Sequence, residues 1–394
     1  MLSVCVLALL IWTGVALAGG ATEIYFTNAG GDGLWTTVAN WDPTSDAPPD
    51  DPSDDNAWIG GGLTVTVTNH TATPKRLRPG CDPAYYTTNG IGDGSGDGTV
   101  IVGQDGVVDL TLGGAQYAYI GCHSSGAMGT VIFQDNGRLE TCGFGVGRFG
   151  GSGRVEIHDQ SVLNATEGGV CGVSLASGRQ FTGSSGTIIQ TGGTLNVRNG
   201  DDDDPGHLKI ANTDWVGGLQ DCTGLYEISG GTLNVYNDPG LVNGGLIAMG
   251  ASSGSVEVSN NVKATFHVKG AWEPGVDNIT AYSLKMYVDD RGTGNEANLI
   301  FDIDGSVGIE PITLEADALF DGKLVVNAVG SGHTGTYTLV TYASVEGDFD
   351  EVDLPSGWTY EIGSTALTVT VPEPATLVLL GLGGLGVLLR RKRG

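Results

Sequence analysis

A short strand pattern led by glycine recurs through the middle of the chain and constrains its fold more than any other feature. Between residues 98 and 266, each copy runs from Gly into a strand with alternating apolar and polar residues, then through a polar turn into a second short strand. The second strand is clearest as Gly-Thr-Leu-Asn-Val, at Gly193–Val197 and Gly231–Val235. The copies begin at Gly98, Gly129, Gly153, Gly186, Gly224 and Gly254.

The spacing of the copies favours a solenoid. Gly129 and Gly153 are 24 residues apart, and Gly186 and Gly224 are 38 apart. One coil of three short strands and three turns needs roughly two dozen residues, so the longer copies carry loop insertions. The alternative is one antiparallel β-sandwich, or two. We predict an all-β chain built as a right-handed parallel β-helix, with its repeats over residues 98–279.

The regions beside the repeats are also rich in strand signals. Residues 19–97 are predicted to form an N-terminal cap and the first coils, in which Trp35, Trp41 and Trp58 cover the open end of the solenoid. Stacking of these tryptophans on sugar rings is the alternative. After residue 280 the coil pattern is lost, and residues 280–370 are predicted to form a C-terminal β module.

The C-terminal segment, residues 371–394, has three parts in a fixed order. Pro372, Glu373 and Pro374 precede an apolar run over residues 375–389, and four cations follow: Arg390, Arg391, Lys392 and Arg393. A helix of this run is roughly 22 Å long, against a hydrocarbon core of roughly 30 Å. We therefore predict a marginal C-terminal transmembrane helix whose basic end stays cytoplasmic.

This tripartite ending resembles the PEP-CTERM sorting signal of Gram-negative bacteria. The resemblance implies recognition by an exosortase, a membrane-embedded cysteine transpeptidase, with cleavage at or near Pro372–Pro374. It also implies brief residence in the inner membrane and export to the cell surface or the extracellular matrix, where exopolysaccharide is a candidate partner. An ordinary C-terminal membrane anchor is the alternative.

Other phrases resemble surface proteins more loosely. Asn136–Leu139 and the Gly-Gly-Thr-Leu-Asn-Val phrases are similar to passenger repeats of autotransporters and related planctomycete-type surface proteins. The Trp-rich opening at residues 34–43 resembles the start of the same group. Residues 347–358 resemble a terminal β module that often precedes PEP-CTERM tails. These resemblances carry fold and not activity.

The N-terminus is typical of a secretory signal. Residues 1–18 carry no charged side chain, contain the apolar run Val4–Ile11 and end in Ala-Leu-Ala. We predict cleavage between Ala18 and Gly19. A transmembrane anchor is the alternative, but the apolar stretch is short.

Charge and cysteine content restrict the function classes. The net charge is −27, which repels nucleic acid and favours cations, so we predict no nucleic-acid partner. Five cysteines follow the predicted signal, an odd number whose spacings match no zinc-site pattern. Buried thiols are favoured, and one or two disulfides between neighbouring coils are the alternative. The five are Cys81, Cys122, Cys142, Cys171 and Cys222.

One loop has a spacing of oxygen ligands that is typical of calcium sites. Asp93, Ser95 and Asp97 stand at positions 1, 3 and 5, with Gly98 at position 6. Position 12 is Gln104, where a bidentate glutamate belongs, so a polar turn before a strand is favoured. We predict no cofactor, with Ca²⁺ at this loop as the weaker alternative.

No motif assembles a catalytic site. Carboxylates are abundant, cations in the repeats are few, and the sequence holds no His-Glu-x-x-His motif. We therefore predict a non-enzymatic structural or adhesive protein of the cell surface or matrix. The alternatives are a polysaccharide lyase or glycoside hydrolase on the same scaffold, and a cation-binding surface module.

Overall fold

The computed structural model describes most of the chain between residues 22 and 372. The described residues are 22–44, 48–52, 55–81, 97–111, 117–122, 127–148, 150–165, 173–176, 182–199, 207–211, 221–237, 245–250, 259–270, 278–288 and 290–372. Within them the chain is all-β apart from one short 3-10 turn at Val38–Asn40. No helix in these ranges reaches the length and apolar character needed to cross a bilayer. The predicted span at residues 375–389 lies outside them.

The strands lie in three stacks, each made of strands from successive coils. The first stack contains β4 (Leu63–Val67), β7 (Gly98–Val102), β10 (Met128–Phe133), β13 (Ser152–Ile157), the first halves of β16 (Ser185–Asn199) and β18 (Thr223–Asn237), β20 (Lys263–Val268), β23 (Glu296–Asp304), β26 (Lys323–Val329) and β29 (Glu351–Asp353). The second contains β5 (Thr71–Ala72), β8 (Val107–Asp109), β11 (Arg138–Thr141), β14 (Val162–Ala165), the second halves of β16 and β18, β21 (Asn278–Ala281), β24 (Ile312–Leu314) and β27 (Gly335–Thr341).

The third stack completes each coil. It contains β1 (Thr22–Phe26), β3 (Asp55–Ile59), β6 (Arg76–Pro79), β9 (Tyr117–Ile120), β12 (Gly143–Val146), β15 (Val173–Leu175), β17 (His207–Ile210), β19 (Leu246–Gly250), β22 (Ser283–Tyr287), β25 (Asp317–Phe320) and β28 (Ser344–Gly347). Strands within each stack pair in parallel, so the chain winds through the three stacks in turn as a β-solenoid. The prediction of a largely parallel β-solenoid is confirmed, and the hand of the coil stays a prediction.

Antiparallel pairing occurs at the two ends. At the N-terminal end, β2 (Trp41–Asp42) pairs with β1. At the other end, β30 (Thr359–Ile362) pairs with β31 (Ala366–Val371), which also pairs with β27. These short antiparallel strands cover the edge of the third stack at the N-terminal end and the edge of the second stack at the C-terminal end.

The leading glycines mark the register of the first stack. Gly98 pairs with Gly129, Gly129 with Gly153, Gly153 with Gly186 and Gly186 with Gly224. Each lies so close to the preceding coil that a side chain would meet backbone. A Cβ built on Gly129, for example, would lie 2.1 Å from the carbonyl oxygen of Pro79. Glycine is therefore required here by close approach of backbone to backbone.

The sixth predicted copy start is wrong. Gly224 pairs with Ala264, so the next strand is Lys263–Val268, and Gly254 lies outside the described residues. The coils also continue past residue 280, because Ala264 pairs with Ala297 and parallel pairing runs on to β28 and β29. The change near residue 280 is thus a change of sequence pattern and not of pairing. In these coils alanine stands at the position of the leading glycine, so the sequence no longer marks where the strand begins.

The core lies inside the coil and is filled by columns of apolar side chains. Strands of the first stack alternate buried and partly exposed residues, as a sheet with one apolar face requires. One column runs through neighbouring coils with every member at most 1% exposed: Val100, Val131, Val155, Ile188, Tyr226, Phe266, Leu299 and Leu324. Each coil buries its share only against the coils on either side, so folding is cooperative between neighbours.

The tryptophans at the N-terminal end take two different positions. Trp35 and Trp41 are buried in the core beside Phe26, and their rings meet edge to face at 4.8 Å between centroids. Trp58 instead lies on the outward side of the third stack, where its Nε1 donates to Glu23. Neighbouring residues of a strand point to opposite faces, and Ile59 takes the inward position beside Trp58.

The outward side of the third stack is covered, unlike that of the first. Every residue of β3, β12 and β17 is buried. The column there contains Trp58, Arg78 and, farther along, Lys209, all at most 5% exposed. The guanidinium of Arg78 lies 4.5 Å from the Trp58 ring centroid. This side therefore carries a second, smaller packed layer outside the core.

Candidate functional site

The predicted sorting motif begins directly where the folded body ends. Val371 is the last residue of β31, is buried and pairs with Gly335. Pro372 follows, is exposed and is the last described residue. Glu373, Pro374 and the basic end at Arg390, Arg391, Lys392 and Arg393 lie outside the described residues. Because β31 is fixed by antiparallel ladders on both sides, the motif starts at a fixed point of the body without a spacer.

Aromatic rings surround this exit point. The Tyr337 and Trp358 rings are nearly parallel, with centroids 6.3 Å apart, and the His333 ring lies 5.3 Å from that of Trp358. A Cβ built on Gly357 would lie 3.4 Å from Cγ of Pro372, so the proline emerges beside this cluster. The packing of half-buried rings fixes the end of the body from which Pro372 projects.

The other sequence-predicted sites are only partly described. Ala18 and Gly19, at the predicted signal cleavage, lie outside the described residues, as do Asp93 and Ser95 of the candidate calcium loop. Asp97 is exposed, and its Oδ1 accepts a hydrogen bond from the backbone N–H of Met128 at 2.8 Å. Its carboxylate thus supports a turn between neighbouring coils. Within the described ranges, no group of three or more His, Cys, Asp or Glu side chains is arranged to hold a metal ion.

A row of hydrogen-bonded side chains runs along the outward side of the second stack. Asn164 donates from Nδ2 to both carboxylate oxygens of Glu140, at 2.9 and 3.0 Å. Asn196 donates to Asn164 at 2.8 Å, and Asn234 donates to Asn196 at 2.9 Å. Thr280 completes the row with a 2.8 Å bond to Asn234. All donors point toward Glu140, so this amide ladder, Glu140 to Thr280, ends on a negative charge.

The amide ladder is expected to stabilise the coils it joins. Asn196→Ala removes one donor and one acceptor, each worth about 1 kcal/mol net in a hydrogen bond, so we expect a loss of about 1–2 kcal/mol in the free energy of unfolding. Thr187→Ala, in the same strand and on the neighbouring stack, is the control because no side-chain hydrogen bond of Thr187 is present in the described part. Urea unfolding followed by circular dichroism measures both, and equal losses would contradict the role of the ladder.

A second cluster lies on the outward side of the first stack and joins four coils. The imidazole of His267 lies between two carboxylates, with Nδ1 3.5 Å from Glu227 and Nε2 3.0 Å from Asp302. The Nε2 contact is close but poorly aligned for a hydrogen bond. Lys269 contacts Glu227 at 2.7 Å, and Asn327 donates to Asp302 at 2.7 Å.

The sequence did not predict this cluster, because its prediction depends on the register of the strand that contains His267. Glu227 and His267 are direct partners in register, as are His267 and Ile300. If Gly254 is aligned with Gly224, His267 is not opposite Glu227. If Ala264 is aligned with Gly224, as in the structure, His267 lies beside Glu227. Both carboxylates are already engaged, Glu227 by Lys269 and Asp302 by the amide of Asn327, so the arrangement is that of a polar brace between coils.

His158 and Glu156 form a second contact between a histidine and a carboxylate, closer to the N-terminus. His158 lies 3.0 Å from Glu156, which also contacts Arg154 at 2.6 Å. Partial burial opposes ionisation of Glu156, but hydrogen bonds from Arg154 and His158 and their charges outweigh it and lower the pKa of the carboxyl. Glu156 is therefore held as a carboxylate, paired within its own coil.

Comparison with known families identifies the tail. Residues 370–393 match the PEP-CTERM protein-sorting motif. This match confirms the resemblance of the tail to a PEP-CTERM sorting signal and supports an exported protein that exosortase, a membrane enzyme, sorts. No curated protein and no solved structure matched the chain in the same comparisons.

Proposed function

We propose that this exported protein, with its PEP-CTERM motif placed directly after its last buried strand, is a structural or adhesive protein of the bacterial envelope. The tail holds the chain briefly in the inner membrane of a Gram-negative-type cell, and exosortase then transfers the body to the cell surface or matrix. The match over residues 370–393 is the observation that carries the proposal. The exposure of Pro372 directly after buried Val371 supports it, since a processing enzyme must reach its motif.

The outward faces of the solenoid support a structural role. Polar side chains on these faces contact side chains of neighbouring coils, through hydrogen bonds in the amide ladder and through charged contacts around His267. Bonds of this kind stiffen a repeat protein along its axis, since each coil is otherwise held only by its neighbours. The acidic surface keeps such a rod soluble and repels other acidic copies. Exopolysaccharide is the partner we propose, bound through hydroxyl groups and through cations shared with the acidic surface.

The runner-up function is a glycan lyase or hydrolase on the same scaffold. The best-placed acids for it are Glu227 and Asp302, which lie on either side of His267. Hydrolysis requires one carboxylic acid and one carboxylate facing the substrate, and both groups here face protein partners instead. The engaged state of these acids favours the structural role.

One experiment separates the two functions. The purified body, residues 19–371, is incubated with uronic and neutral glycans, and product is measured beside the matched variant Glu227→Gln/Asp302→Asn. We expect no turnover above that of the variant, together with retention of the body on the polysaccharide of its own host. Turnover that the variant loses would overturn the structural role and establish the enzyme.

A further inference from the structure

Two cysteines lie side by side on neighbouring coils at the covered side of the third stack. Leu77 pairs with Ala118, so the same register four residues later places Cys81 beside Cys122. Each follows a glycine with the same backbone turn, Gly80 and Gly121, both at φ +62°. Neighbouring parallel strands are about 4.8 Å apart, which lies inside the range of Cα separations that a disulfide spans.

Hydrogen bonds and shared packing confirm that the two residues are in contact. The backbone N–H of Cys122 donates to Sγ of Cys81 at 3.2 Å. The Cys81 thiol donates to the carbonyl oxygen of Tyr119 at 3.1 Å. Cys81 and Cys122 are 2% and 0% exposed and pack with Trp58.

We propose that Cys81 and Cys122 form a disulfide that joins these two coils once the chain has left the cytoplasm. The inference rests on export, which the proposed function shares, and not on the structural or adhesive role. Oxidising conditions outside the cytoplasm let such bonds form and persist. The alternative is that all the cysteines are permanently reduced buried thiols. It does not explain why Cys81 and Cys122 lie side by side at equivalent turns of neighbouring coils.

The chemistry balances with a thiol–disulfide carrier protein as the oxidant. The Cys122 thiolate attacks one sulfur of the carrier's disulfide and releases the other as a thiol, which leaves a mixed disulfide. Cys81 then loses its proton and attacks Sγ of Cys122, and the carrier leaves as a dithiol. Two electrons and two protons pass from the pair to the carrier.

The surroundings distinguish the roles of the two sulfur atoms. Burial alone would raise the pKa of Cys122, but hydrogen bonds from Cys81 and the backbone of Arg148, with the charges of Arg148 and Arg78, lower it. Burial raises the pKa of Cys81, and its contact with Cys122 adds to this effect. As the coils close, these surroundings favour the thiolate at Cys122 over that at Cys81. Because both sulfurs are buried in the folded body, the bond forms as the coils close and is then shielded from reductants.

The register around Cys222 differs from that around Cys81 and Cys122. Thr223, which follows Cys222, pairs with Ser185 and Lys263. The residues beside Cys222 in register are therefore Ser184 and Val262. Cys222→Ser is therefore a matched control for a buried thiol in the same solenoid. Cys171 lies outside the described residues, and it provides the competing partner against which the assignment is tested.

The test maps disulfides in the full-length protein as its own cells export it. The protein is collected from outside the cytoplasm, denatured without reductant, alkylated, digested and analysed by mass spectrometry. We expect a linked peptide pair that contains Cys81 and Cys122, with Cys222 alkylated. In Cys81→Ser, we expect Cys122 to be fully alkylated, and Cys222→Ser leaves the linked pair unchanged.

Two outcomes would overturn the proposal. One is full alkylation of both Cys81 and Cys122 in protein recovered outside the cytoplasm. The other is a bond from either of them to Cys171. Wild-type mapping needs no variant to fold, so both outcomes can be read even if Cys81→Ser is degraded. Protein found only in the cytoplasm would instead contradict export, and the pair would then be examined in purified protein equilibrated in a glutathione buffer of the potential found outside the cytoplasm, where the same linked pair is expected.

Discussion

Gly129→Ala is expected to lower the free energy of unfolding by about 4 kcal/mol or more, at the high end for a single substitution. A Cβ at residue 129 would lie 2.1 Å from the carbonyl oxygen of Pro79 and 2.3 Å from the backbone nitrogen of Gly121. Both contacts are with backbone, so no side-chain movement relieves them. The strand would have to leave its parallel ladders with β7 and β13.

The leading glycines also predict an order of effects along the chain. The nearest backbone atom to a built Cβ lies 1.9 Å away at Gly98, 2.1 Å at Gly129, 2.3 Å at Gly153, 2.4 Å at Gly186 and 2.7 Å at Gly224. The next equivalent residues are Ala264 and Ala297, where the side chain is accommodated. Alanine at residue 224 should therefore cost much less than alanine at residue 129.

Limited proteolysis and urea unfolding of the two alanine variants test this order. Gly103→Ala is the matched control outside the series, since the nearest atom to its Cβ is the movable Gln134 side chain at 3.0 Å. We expect Gly129→Ala to be cleaved within the first coils, Gly224→Ala to be intermediate and Gly103→Ala to resemble the wild type. Equal losses at residues 129 and 224 would show that close approach between coils does not explain the repeat.

The second large effect is expected at the tail. Substitution of Pro372, Glu373 and Pro374 by alanine should stop processing and leave the protein attached to the membrane through residues 375–389. Pro372 is exposed directly after buried Val371, so these changes alter the motif and leave β31 in place. Cell fractionation with detection of the body measures the outcome.

The matched control for the tail keeps its charge. Arg390→Lys, Arg391→Lys and Arg393→Lys together preserve the basic end and should leave processing intact, since cytoplasmic retention depends on positive charge and not on arginine. A motif variant that still reached the surface or matrix would contradict sorting through Pro372–Pro374. Loss of processing in the charge-preserving control would instead show that the arginines themselves are recognised.

The start of a strand could be predicted from the sequence in the coils where close approach of the backbone requires a leading glycine. Five starts, from Gly98 to Gly224, are in register in the structure. The prediction failed where Ala264 and Ala297 replace glycine, because alanine carries no positional meaning by itself in a strand. The same error hid the pairing of Glu227 with His267, since their alignment depends on that start.

Side chains that act between coils were harder to predict than the coils. Asn196 and Asn234 stand in identical Gly-Thr-Leu-Asn-Val phrases, yet Glu140 and Asn164 of the amide ladder have no such phrase around them. The proximity of Cys81 and Cys122 could be recognised only from the register of β6 and β9, whose paired residues Leu77 and Ala118 are 41 positions apart in the sequence. The tail was predictable because its order of proline, apolar run and cations is local.

The most direct test of the central claim is the C-terminus of the protein at its final location. Intact-mass and C-terminal peptide analysis of protein collected from the cell surface or matrix would locate it. We predict a chain that ends at or near Pro372–Pro374, with the body through Val371 complete and the residues from Ala375 onward removed. Protein at that location that still carries its sequence through Gly394 would contradict the account.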